Sequence, residues 1–170
     1  MTSFTEPENI WSQHASRLAG GWKCISYHMY DSDSPSAKLI AKPHSDTPLG
    51  RVLISPSGYL SAHVARPDLL KPLPSGKPWQ TGGDEEVAKV ARGLSMYAGY
   101  LKMYEDEKGL YWKTKVEVCS DPSRLGGFEE RRVRWWEEGG KEYAELRPKQ
   151  DLVLDDGGTA RAVLVWEKFE

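Results

Sequence analysis

The stretch Leu18 to Tyr30, Leu-Ala-Gly-Gly-Trp-Lys-Cys-Ile-Ser-Tyr-His-Met-Tyr, constrains the chain most. A glycine pair and a tryptophan open it, and no further glycine or proline interrupts it. Such a run reads as a strand, with successive side chains on opposite faces. One face carries Trp22, Cys24, Ser26, His28 and Tyr30. The other carries Lys23, Ile25, Tyr27 and Met29. Neither face is purely polar, so both need cover. Ahead of it, Ile10, Trp11, Ala15 and Leu18 recur at helical spacing. Pro7 suits the first turn of that helix, with Thr5 or Glu6 as its cap, and Gly20-Gly21 as its stop. Residues 1–6 read as a loose terminus. A helix this short must dock on something.

The rest of the chain reads as hairpins. Arg51 to Ser55 and Tyr59 to Arg66 flank Pro56-Ser57-Gly58. Met96 to Glu105 and Leu110 to Cys119 flank a turn ending in Gly109, which is placed for a bulge. Phe128 to Trp136 and Lys141 to Arg147 flank Glu137-Glu-Gly-Gly140, and a last strand covers Ala160 to Phe169. Residues 67–83 form a long irregular connection into a helix from Asp84 to about Leu94, together a candidate lid. About nine strands with no βαβ alternation predict an all-β, antiparallel barrel of eight to nine strands. It carries an N-terminal helix and one inserted helix, in a single domain over 1–170. Trp22 then lies at the closed end.

Composition narrows the function. Seven Trp and eight Tyr against three Phe favour surfaces both apolar and hydrogen-bonding, as in a ligand cavity. A net charge of −2 with interspersed signs offers no footprint for nucleic acid or an anionic membrane. No apolar window approaches a membrane span, and the N-terminus lacks the pattern of a secretory signal. These readings predict a cytoplasmic protein, monomer or homodimer, in which Cys24 and Cys119 are reduced thiols. No phosphate loop, dinucleotide fingerprint or metal-ligand spacing occurs, so no cofactor and no metal are expected.

Gly20-Gly-Trp-Lys-Cys-Ile-Ser-Tyr, Gly50-Arg-Val-Leu-Ile-Ser-Pro-Ser-Gly-Tyr-Leu-Ser-Ala, Tyr97-Ala-Gly-Tyr and Ala162-Val-Leu-Val-Trp166-Glu-Lys occur in this order. Together they resemble the cytosolic lipocalin-like domain family of bacteria and fungi, from about residue 20 to 168. Gly20-Gly21-Trp22 resembles the lipocalin Gly-x-Trp signature, and Arg161 is similar to the arginine that packs over that tryptophan. The resemblance implies a small barrel. It also implies the setting of some members, secondary metabolite biosynthesis, where such barrels act on or bind polyketide or terpenoid intermediates. The chain departs from the family at Trp112-Lys-Thr-Lys-Val, where members often carry histidines. A site built on those histidines cannot be carried over.

The candidate site residues follow from barrel geometry. His28 and His63 sit mid-strand and could both reach the lumen, where a histidine can move protons near neutral pH. His14, on the helix, and His44, between prolines, read as solvated. On strand 128–136, Glu130 and Arg132 share a face and would orient or polarise a substrate oxygen if inward. Arg131 and Arg134 read as parts of an outer ladder. Ser26, Tyr59, Tyr97, Tyr100, Trp112, Thr114 and Trp166 are candidate wall residues, Trp112 foremost. The resulting expectation is a cofactor-independent cyclase, isomerase or dehydratase acting on a hydrophobic intermediate. The alternative is a non-catalytic carrier of such a molecule. A lumen under roughly 300 Å³ would instead favour a domain that binds protein partners.

Overall fold

The structure, a computed structural model, describes residues 6–170. The proposed Thr5 cap and most of the loose terminus lie outside the described residues. The main strands are β1 (Gly20–Tyr30), β3 (Leu49–Ile54), β4 (Tyr59–Ala65), β5 (Leu94–Asp106), β6 (Gly109–Lys115), β8 (Phe128–Glu138), β9 (Lys141–Pro148) and β11 (Thr159–Lys168). Each pairs antiparallel with the next, and β11 pairs back onto β1, which closes an eight-stranded barrel. Closure leaves no long edge with unpaired amides. Three short strands, β2 (Leu39–Ala41), β7 (Val118–Cys119) and β10 (Leu152–Val153), extend the sheet near its rim.

The helix α1 covers Trp11–Leu18, later than the sequence suggested. Residues ahead of it are tied to β5 instead. The Ile10 amide donates to the Met103 carbonyl, and the Asn9 side chain accepts from the amides of Met103 (2.9 Å) and Trp11 (3.1 Å). Asn9 thus meets the free first-turn amide that Glu6 was expected to meet, while Glu6 accepts from the Tyr104 hydroxyl. Trp11 and Leu18 are buried and plug one end of the barrel. There the Trp22 indole N–H donates to the Leu18 carbonyl at 3.0 Å.

Gly20 and Gly21 do not stop the helix, which ends at Leu18 with Ala19 extended. They admit the C-terminus. Gly20 has φ +119°, and a Cβ there would lie 2.2 Å from the Glu170 carbonyl oxygen. A Cβ at Gly21 would meet the Phe169 ring at 2.7 Å. Arg161 does not cover Trp22. It pairs with Tyr30 at the opposite end of β1, facing out toward Asp151 and Asp33. Lys168 replaces it, with Nζ 5.4 Å from the Trp22 ring and donating to the Arg17 carbonyl.

The second helix, α2 (Asp84–Ala91), is capped by Gly83 rather than Asp84 and stops before Leu94, which opens β5. None of its residues is buried. Gly99 on β5 allows a local crossing. A Cβ there would lie 1.7 Å from the Lys115 carbonyl oxygen, where the chain leaves β6 and buries Val116.

Candidate functional site

One irregularity decides which side chains reach the lumen. Cys24 pairs with Trp166, but Ser26 pairs with Val165, so Ile25 is an extra residue on β1. A bulge of this kind reverses the alternation beyond it. Trp22 and Cys24 face inward ahead of the bulge, and Tyr27 and Met29 face inward after it, opposite the inward Leu164 and Ala162. Ser26 and His28 therefore face out. His28 meets the Tyr30 hydroxyl at 3.3 Å on that outer wall.

The other proposed proton-transfer groups also lie outside. Leu60, Ala62 and Val64 are the inward residues of β4, so Tyr59, Ser61 and His63 face out, with His63 2.9 Å from the Ser61 hydroxyl. Tyr59 and Tyr100 meet edge to face on the same outer wall, centroids 4.9 Å apart. On β8, Arg131 pairs with the inward Trp112, and Glu129 pairs with the inward Thr114. The inward face is thus Glu129, Arg131, Val133 and Trp135; the sequence leaves open which face turns inward and places only Arg131 of these in an outer ladder. Glu130, opposite Lys113, and Arg132, opposite Tyr111, belong to the outer face. Asp106 binds the Arg132 guanidinium through both oxygens (2.6 and 2.8 Å), and its own carboxyl is held down at about 2 by that contact first. Arg132 borders a larger concavity, about 610 Å³, an open groove on the outer wall with Asp33, Arg134 and Arg147.

The lumen itself holds a cavity of about 170 Å³. Its lining is mostly apolar, with Val52, Leu60, Leu146, Ala162, Leu164 and Trp166. Tyr27, His44, Ser95, Tyr97 and Arg131 bring polar groups to it from β1, the β2–β3 loop, β5 and β8. Tyr97 and Trp166 are the two of the seven proposed wall residues that line it. Trp112 is buried deeper, around a small void with Trp22, Ile54 and Trp166. Thr114 faces inward and is fully buried, away from the cavity. The indole N–H groups of Trp112 and Trp166 and the Thr114 hydroxyl have no hydrogen-bond partner. The expected lid, residues 67–83 and α2, contributes nothing to the lining. His44 and Leu152 do, from the β2–β3 and β9–β11 connections.

His44 is the residue that sequence reading missed. β1 pairs with β3 only as far as Lys23 and with β2 only from Met29, which leaves a gap. The β2–β3 loop folds into it and stacks His44 on Tyr27, centroids 5.1 Å apart and planes 23° from parallel. Burial lowers the His44 pKa, opposed by the Ala65 carbonyl, so the ring is neutral near pH 7. Its Nδ1 has no partner. Burial likewise raises the phenols of Tyr27 and Tyr97, while the Arg131 charge pulls both down. Arg131 donates to Glu129 at 2.7 Å, and Glu129 also accepts from Arg124 at 2.7 Å. Arg124 lies over the Tyr97 ring and reaches the Ser95 hydroxyl. The Cys24 thiol, pushed up to about 12 by burial, is inert as a nucleophile, and neither cysteine is bonded to the other.

Among the described residues, no three His, Cys, Asp or Glu side chains come together as metal ligands, and no helix is long and apolar enough to cross a membrane. No curated protein and no solved structure matches the chain. The family model of the lipocalin-like domain matches residues 19–169. That span runs from just ahead of the glycine pair to the C-terminal residues closing on it, and the barrel is of the kind that suggests small-ligand binding. The chain belongs to the lipocalin-like domain family.

Proposed function

We propose that the protein binds a small, mainly apolar molecule of one or two rings inside the barrel. The observation that carries this reading is the 170 Å³ lumen with a mostly apolar lining and a few polar groups among it. That volume is below the roughly 300 Å³ of drug-sized sites. It still exceeds the roughly 150 Å³ that accommodates benzene in an engineered apolar cavity. By the criterion set from the sequence this small volume counts toward a partner-binding domain, but the lumen is not filled by side chains and limits the size of a ligand rather than excluding one. Fragments of polyketide or terpenoid type fit the chemistry if they are compact. Ala162 lines the cavity and is 2 % exposed, so Ala162→Leu fills the lumen from one wall. Calorimetric titration with 2-naphthol should show binding to the wild type and none to Ala162→Leu, with thermal stability retained. Equal binding by both proteins would place the ligand elsewhere.

A second reading, cofactor-independent isomerase, cyclase or dehydratase chemistry, is favoured by His44. A neutral imidazole on the lumen wall, with an unpartnered ring nitrogen that is itself covered, is a base that a ligand displacing this cover would reach. The test is deuterium uptake at the α-carbon of 2-tetralone in D2O, followed by NMR. Catalysis requires acceleration that His44→Ala abolishes and that His28→Ala and His63→Ala leave intact. No acceleration by the wild type supports the carrier reading instead.

A further inference from the structure

Charge at the rim of the lumen is unbalanced. Two guanidiniums, Arg124 and Arg131, share the single carboxylate Glu129. At the same end, Arg66 with Asp68 beside His44 is internally neutral and bidentate, and Arg161 is matched by Asp151 and Asp33 on the outer wall. The cluster of Arg124, Arg131 and Glu129 thus keeps one positive charge. Of these groups, Arg131 is the one that lines the cavity. Its side chain is 21 % exposed, so water compensates its charge only in part. Around it stand the phenols of Tyr27 and Tyr97 and the Ser95 hydroxyl, all on the cavity wall. Hydroxyl donors around a guanidinium suit an oxyanion better than a neutral carbonyl.

We propose that the lumen selects ligands carrying an anionic oxygen, a carboxylate or an acidic enol or phenol, bound against Arg131 with the ring system against the apolar lining residues. The assignment rests on the lumen being the ligand site. Arg131 is the specificity residue. Glu129 competes with the ligand for it, and Arg124 weakens that competition by holding the second oxygen of Glu129.

The experiment compares benzoate with benzamide, which has the same shape and no charge, by calorimetric titration at neutral pH. The wild type should bind benzoate at least tenfold more tightly. Arg131→Gln should bring the two within twofold by weakening benzoate alone, and Glu129→Gln should widen the wild-type ratio. Arg131→Lys retains the charge and should keep part of the preference, which separates loss of charge from loss of fold. Equal binding of both probes by the wild type would overturn the anion assignment and leave the lumen reading standing. A preference that survives in Arg131→Gln would overturn Arg131 as the residue that carries it. Binding of neither probe would overturn both.

Discussion

Trp22→Phe tests how the closed end is held. Trp22 is 2 % exposed, and its indole N–H is the donor found for the Leu18 carbonyl. That carbonyl lies in the last turn of α1, beyond reach of a helical amide. Phenylalanine removes the donor and strands the acceptor in a buried site, which costs about 1–3 kcal/mol. Shrinking the ring system removes packed atoms beside Leu18, Val52 and Trp112, at about 1–2 kcal/mol more. The sum is about 3 kcal/mol, a sizeable share of the roughly 5–15 kcal/mol expected for a domain. Urea unfolding followed by circular dichroism reads it as a lower midpoint with an unchanged slope. Trp79→Phe is the control, because Trp79 is 46 % exposed and should change stability by less than about 0.5 kcal/mol. A loss below about 1 kcal/mol in Trp22→Phe would refute the view that the indole bond anchors the plug.

Gly99→Ala should destabilise by at least about 3 kcal/mol or abolish folding, since the new methyl falls on the Lys115 carbonyl; soluble yield and melting temperature read this out. The buried Cys24 thiol, raised to about 12, stays protonated in the folded state while the unfolded thiol ionises near 9. Stability from this group is therefore complete below about pH 9 and falls above it, by up to about 1.4 kcal/mol per pH unit. Cys24→Ala should flatten that alkaline slope in urea melts at pH 8 to 11. His44 has its pKa lowered, so its contribution is present above the ordinary histidine range and lost as acid protonates it. His44→Ala should accordingly reduce the loss of stability between pH 7 and 5, and an unchanged profile would contradict its burial.

The barrel was legible because its signals are local. Alternating strands, Gly58 at φ +88° in the first hairpin, Gly109 at φ +99° in the second and Gly139-Gly140 at φ +60° and +75° in the third are properties of neighbouring residues. The motif order from Gly20 to Trp166 carried the family in the same way. The site was not legible, because it depends on which face of each strand turns inward. On β8 the charged residues alternate on both faces, so pattern alone could not separate Arg131 from Arg132. Only pairing with Trp112 on β6 did so. On β1 the alternation was read correctly as far as Cys24. The extra residue Ile25 then exchanged Ser26 and His28 for Tyr27 and Met29.

The sequence by itself determined an antiparallel barrel opened by Gly20-Gly21-Trp22, with the tryptophan at the closed end under a short helix. Tertiary structure decided why that glycine pair is there and where the chemistry lies. The glycines admit Phe169 and Glu170 from the far end of the chain, a contact that no local pattern records. His44 enters the lumen because β1 leaves a gap between its pairings with β2 and β3, and such gaps arise from the twist and register of a closed sheet.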